Sequence, residues 1–151
     1  MLRRPGPKLP DDGDLLGALR EIYAETDAFM AQWSCDASTD CCRFGVTGRE
    51  PYVTAIELAL LRKGIAGKGG LPKQRQLPMA GERRCPVLTD QGRCAAYAER
   101  PLGCRTFFCE RAVGPRRPPR DEARTMVQRI AALSERFDPR SPGPRPLSKA
   151  F

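Results

Sequence analysis

A small, mainly α-helical single domain of about three to five helices, built around an irregular cysteine-rich region, is the fold class that this sequence predicts. Three observations carry it. Apolar residues recur at three- and four-residue steps in three separate segments, no segment alternates with period two for long, and seven cysteines gather into two turn-rich stretches. At 151 residues and 40% hydrophobic, the chain suits one domain burying roughly two thirds of the surface that its unfolded form exposes. Residues 1–13 read as a flexible N-terminal tail, 14–137 as the folded cysteine-cluster domain and 138–151 as a flexible C-terminal tail.

The first helix is predicted from Asp14 to Trp33. Leu15, Leu16, Leu19, Ile22, Tyr23, Phe29, Met30 and Trp33 fall on one helical face, so the aromatics are core residues that need no further role. A second helix opens at "TAIE", where Thr54 can cap the first turn and Glu57 can reach back as its capping-box partner. After Leu58, Leu60 and Leu61 it is expected to end near Gly64. A third begins at Asp121, after the proline-rich "GPRRPPR", with Met126, Val127, Ile130, Leu133 and Phe137 on one side. The prolines of "DPRSPGPRP" stop it, and the chain beyond is expected to fray. The only sheet expected is a short hairpin in the cysteine region.

Composition removes several classes of function. With no histidine in the chain, the common hydrolase triads are excluded. The opening "MLRRPGPKLPDDGDLL" places prolines and aspartates where a secretion signal needs an apolar run. The most apolar stretch, "AIELALL", contains a Glu and falls far short of the roughly 20 residues that span a bilayer. A soluble, cytoplasmic protein is expected, with no membrane partner. Thiols stay reduced in that compartment and their number here is odd, so clustered cysteines point to metal or redox chemistry before permanent disulfides.

The net charge of +8 is unevenly spread. Between Arg62 and Arg84 lie seven basic residues, among them Lys63, Lys68, Lys73 and Arg75, against Glu82 alone. Such a Gly-rich segment could track phosphates, but it has no aromatic residue on which a base could stack. A solvated loop is the preferred reading, and nucleic-acid binding is expected to be weak or absent.

The cysteines carry the chemistry. "CDASTDCC" holds Cys35, Cys41 and Cys42, and "CPVLTDQGRCAAYAERPLGCRTFFC" holds Cys85, Cys94, Cys104 and Cys109. The second set is more loosely spaced than a paired CxxC zinc knuckle. Any one buried cysteine is most simply an inert core residue, but seven in two clusters favour metal binding. Pro86, Gly92 and Gly103 suit turns that aim thiolates inward.

These residues resemble the YkgJ-type cysteine-cluster family, described as zinc- or iron-chelating, whose first motif reads CxxCxxCC. The order "CDASTDCC", "CPVL", "GRC", "Y", "RP" and "CR" agrees over roughly Trp33 to Cys109. By position, the first motif's cysteines fall on Cys35, Cys41 and Cys42, and its second cysteine falls on Ser38. Cys85, Cys94 with Tyr97, and Arg100, Pro101, Cys104 and Arg105 match the later elements, and Cys109 completes the set. The resemblance implies a metal site, zinc or an iron–sulfur cluster. The same cysteine domain resembles part of flagellin lysine methylases, whose remaining parts have no room here, so that activity is not carried over.

Thiolates without imidazole suit zinc or iron–sulfur clusters, whereas magnesium and calcium want oxygen. Cys85-Pro86 is a weak hint towards iron, since such a pair ends bacterial ferredoxin motifs. Arg100 and Arg105 can either neutralise a thiolate cluster and donate to sulfur, or form ordinary surface ion pairs. Two functions follow. One is a metal-binding protein in which zinc or an iron–sulfur cluster organises the fold and supports redox or modification chemistry on a protein partner. The other is a zinc-stabilised module that uses residues 62–84 on nucleic acid or an acidic partner. No catalytic group stands out.

Overall fold

The computed structural model describes residues 12–31, 50–73, 84–106 and 120–151. It is mainly helical. Helix α1 spans Asp12–Phe29, strand β1 Tyr52–Val53, α2 Ala55–Gly67, α3 Leu102–Thr106, α4 Arg120–Phe137 and strand β2 Arg145–Pro146, with 3-10 turns at Tyr97–Glu99 and Leu147–Lys149.

Helix α2 is central because it is buried on two sides. Ile56 and Leu60 meet Leu15, Leu16, Leu19, Ile22 and Tyr23 of α1, together with Leu102 of α3 and Ile130 of α4. Leu58, Leu61 and Ile65 meet a second cluster of Val53, Cys85, Val87, Leu88, Ala96, Leu147 and Ala150. The short apolar run "AIELALL" is therefore the helix between two half-cores, which is why it is apolar around most of its circumference. The one-sided pattern of α1 and α4 fits their outer positions, where α1 packs against α4 and both rest on α2.

The start of α2 is as the sequence predicts. Thr54 takes an extended conformation, and Glu57 Oε2 accepts both the Thr54 amide and its hydroxyl at 3.0 Å. Its end differs from the expectation, running past Gly64 to Gly67. Ile65 is buried in the second cluster and carries the helix onward. Gly64 is instead a place of close approach, since a Cβ there would lie 2.5 Å from Glu99 Oε2. The amides of Lys68, Gly69 and Gly70 then bond back to Ile65 and Ala66 and end the helix. Trp33, placed on the first helix by its spacing, lies outside the described residues, as do residues 1–11.

The largest correction concerns residues 138–151, expected to fray. The prolines do end α4, but the chain then folds back. Arg145 and Pro146 pair antiparallel with Val53 and Tyr52, the Leu147 amide bonds to Pro51 O at 3.0 Å, and Ser148 N donates to Glu50 Oε1 at 2.6 Å. Ser134, fully buried on α4, donates its hydroxyl to Pro142 O at 2.7 Å and accepts the Ile56 amide at 3.3 Å. Leu147 is 1% exposed. A proline-rich segment can serve a two-stranded edge because few of its amides are required there. No described helix is long and apolar enough to cross a membrane.

If this segment completes the core, Leu147→Ala should cost about 2–5 kcal/mol, the usual range for emptying a buried leucine site. Urea unfolding would measure it. A loss below about 0.5 kcal/mol, typical of an exposed position, would show that the segment does not seal the second cluster.

Candidate metal centre

The second cysteine stretch is held by two pieces of different construction. Residues 85–95 form a tight hairpin. The Leu88 amide bonds to Cys85 O at 3.1 Å across the Cys-Pro turn, Thr89 N to Arg93 O at 2.8 Å and Ala95 N to Val87 O at 2.9 Å, while Leu88 and Cys94 face each other in an antiparallel bridge. Gly92 closes the tip at a φ of 74°, a conformation that side chains disfavour. Cys85 is buried beside Val87 and Leu88, and half-buried Cys94 packs against the same cluster. The expected hairpin is therefore present and brings these two cysteines into one unit.

Cys104 belongs to the other piece. It is half-buried on α3, a helix whose start is fixed by a hydrogen bond of 2.9 Å from the Leu102 amide to Glu57 Oε1. The same oxygen accepts the Tyr23 hydroxyl at 3.2 Å. Burial pushes the Tyr23 phenol well above its ordinary range; the Glu57 carboxylate adds to this, Arg105 opposes it, and the charge of Cys104 contributes.

The two arginines of "RPLGCR" take different positions. Arg100 is partly exposed, lies 4.0 Å over the ring of exposed Tyr97, and donates to Tyr97 O at 2.9 Å. Arg105 is no surface ion pair. It is buried, stacks 4.1 Å over the Tyr23 ring, and donates to Asp27 Oδ2 at 2.6 Å, Arg100 O at 2.8 Å and Ala98 O. Arg20, Tyr23, Asp27, Glu99 and Arg105 line part of an open cleft of about 270 Å³, which none of the described cysteines lines.

Cys35, Cys41, Cys42 and Cys109 lie outside the described residues, as do Ser38 and Arg75. Among the described residues, no three Cys, Asp or Glu gather into a group that could hold a metal ion by themselves. The donor chemistry nevertheless fits a soft metal: Cys85, Cys94 and Cys104 are sulfur donors at least half-buried, in a chain with no imidazole. Lys63, Lys68 and Lys73 are exposed, and neighbouring Arg62 donates to Ala150 O at 3.2 Å. Sequence reasoning missed the Glu57–Tyr23–Leu102 junction and the buried setting of Arg105. Only the capping-box pattern at Thr54 pointed to Glu57.

Among known families, the model described as "CxxCxxCC: Putative zinc- or iron-chelating domain" matches residues 34–128, more than half of the chain. No curated protein and no solved structure matches it.

The raised Tyr23 phenol has a consequence at alkaline pH. A group with a raised folded pKa favours the fold fully below its unfolded value, about 10 for tyrosine, and loses that contribution as pH climbs towards the folded value. Stability should therefore fall above about pH 10, and less steeply in Tyr23→Phe. Urea unfolding between about pH 9 and 11 would test this, and equal slopes for the two proteins would refute it.

Proposed function

Because the chain belongs to the CxxCxxCC family of zinc- or iron-chelating domains, we propose that it binds zinc or an iron–sulfur cluster through thiolates drawn from Cys35, Cys41, Cys42, Cys85, Cys94, Cys104 and Cys109, in the reducing cytoplasm. The observation that carries the reading is that all seven cysteines fall inside the matched residues while the chain has no histidine. Zinc would supply a structural cross-link, and an iron–sulfur cluster would add one-electron redox capacity. The chain's own residues would bring two buried or half-buried thiols on the hairpin and a third on α3. Arg100 and Tyr97, paired with each other, lie between Cys94 and Cys104 in the chain.

A role in redox or protein-modification chemistry on a partner is the finer proposal, supported by the exposure of Tyr97 beside the cysteine elements. A second reading, a zinc-stabilised module that binds nucleic acid or an acidic protein, draws on the exposure of Lys63, Lys68 and Lys73. The basic stretch 62–84 lacks aromatic stacking groups, which keeps this reading second.

Metal should stabilise the fold. Structural thiolate sites supply apparent binding energies of about 10–16 kcal/mol that appear as folding energy. Thermal unfolding of reduced, air-protected protein should shift to lower temperature with a strong chelator, and metal analysis should find zinc or iron. An unchanged transition in metal-free protein would overturn the structural role.

Ser38 stands where the resembled motif has a cysteine, and a serine hydroxyl is a poor ligand for soft metals. We propose that Cys109 completes a closed set of four thiolates. Cys109→Ser should then lower metal content and alter the cobalt-substituted spectrum, whereas Ser38→Cys should change neither. The opposite pattern would place an open coordination position near residue 38.

A further inference from the structure

We infer that Arg105 is a positioning residue for the metal site, fixing the backbone that presents Cys104 before any metal arrives. The inference rests on the metal-binding reading above and names which part of that site is built in advance. Arg105 follows Cys104 in the chain, and its side chain is 4% exposed. Each of its three side-chain nitrogens donates to an oxygen: Nε to Arg100 O at 2.8 Å, Nη1 to Asp27 Oδ2 at 2.6 Å, and Nη2 to Ala98 O. The plane of the guanidinium lies over the Tyr23 ring.

Burying a guanidinium is costly unless its hydrogen bonds and charge are met. A hydrophobic residue could fill the same space, but only the planar fork can join two carbonyls of the 98–100 turn to a carboxylate on α1. The result is a cross-link between the turn before α3, α3 itself and α1. The other end of α3 is held by Glu57, which accepts the Leu102 amide. Cys104 therefore sits on α3 between two fixed residues, Leu102 and Arg105.

Cys85 and Cys94 depend on neither anchor, since their hairpin is closed by its own backbone bonds. The hairpin and α3 are thus each built from contacts that need no metal. Holding Cys104 in place removes part of the ordering entropy that metal binding would otherwise have to overcome.

The test compares full-length, reduced wild type with Arg105→Lys, Cys104→Ser and Ser134→Ala. Lysine keeps the charge but cannot bridge three acceptors. Ser134→Ala removes a buried hydroxyl that bonds α4 to Ile56 of α2 and to Pro142 and forms none of the bonds around Arg105, and so reports general destabilisation. Zinc affinity by competition with a chromophoric chelator, the cobalt(II) spectrum and helix content by circular dichroism are the readouts. Arg105→Lys should weaken zinc binding about 10- to 100-fold and shift the cobalt spectrum at wild-type helix content, while Ser134→Ala keeps wild-type affinity and spectrum. Wild-type affinity and spectrum in Arg105→Lys would overturn the inference, as would an equal loss in Ser134→Ala. A wild type that takes up neither metal, or a Cys104→Ser that binds as wild type does, would instead overturn the reading beneath it.

Discussion

A carboxylate offers about four acceptor positions, and at Glu57 four donors use them: the Tyr23 hydroxyl and the Leu102 amide at Oε1, the Thr54 amide and hydroxyl at Oε2. Glu57 is 3% exposed, so each unmet position would carry a desolvation cost of about 1–3 kcal/mol. Full occupation makes the group tolerable in the core. It also makes the group directional, because the four donors come from α1, from the cap of α2 and from the start of α3. The relative placement of these elements is thus set by one side chain as well as by apolar packing.

Around that junction the packing is divided. Helix α2 shares one side with α1, α3 and α4 and the other with the cysteine hairpin and the C-terminal segment. Both half-cores take residues from α2, whose start is fixed by the Thr54–Glu57 cap. The Thr54 cap and Ser134, which accepts the Ile56 amide, therefore serve both halves at once. An exposed pair such as Glu25 and Arg129 joins α1 to α4 at the surface and belongs to a class of contact worth little in water.

The three longer helices were legible because their apolar spacing and the Thr54–Glu57 pattern are local, although α1 ends at Phe29 short of the expected Trp33 and α3 had no such signal. The end of α2 was not, since Gly64 marks a close approach by Glu99, a residue far away in sequence. Nor was the C-terminal segment. Leu147 is a single large apolar residue among prolines, with no period to read, and its burial depends on a groove that exists only once α2 and the hairpin are in place. Cysteine content made the donor chemistry legible, since sulfur without imidazole narrows the metals on chemical grounds. Arg105 shows the limit of such reading. An arginine after a cysteine can face solvent, a sulfur or the core, and here the outcome is decided by Asp27 and Tyr23, brought in by a different helix.

The division between frame and hairpin bears on how binding and folding share energy. A site made wholly from mobile loops would spend much of its metal affinity on ordering the chain, as coupled folding and binding does. Here α3 is tied to α1 and α2 by Glu57 and Arg105, contacts that involve no sulfur. The hairpin likewise has its own backbone closure and its own place in the second cluster. On the metal-binding reading proposed above, a metal would add a thiolate link between pieces already ordered without it. Cys104 lies between Leu102 and Arg105, and the contacts that fix those two residues are buried enough for small displacements there to cost energy.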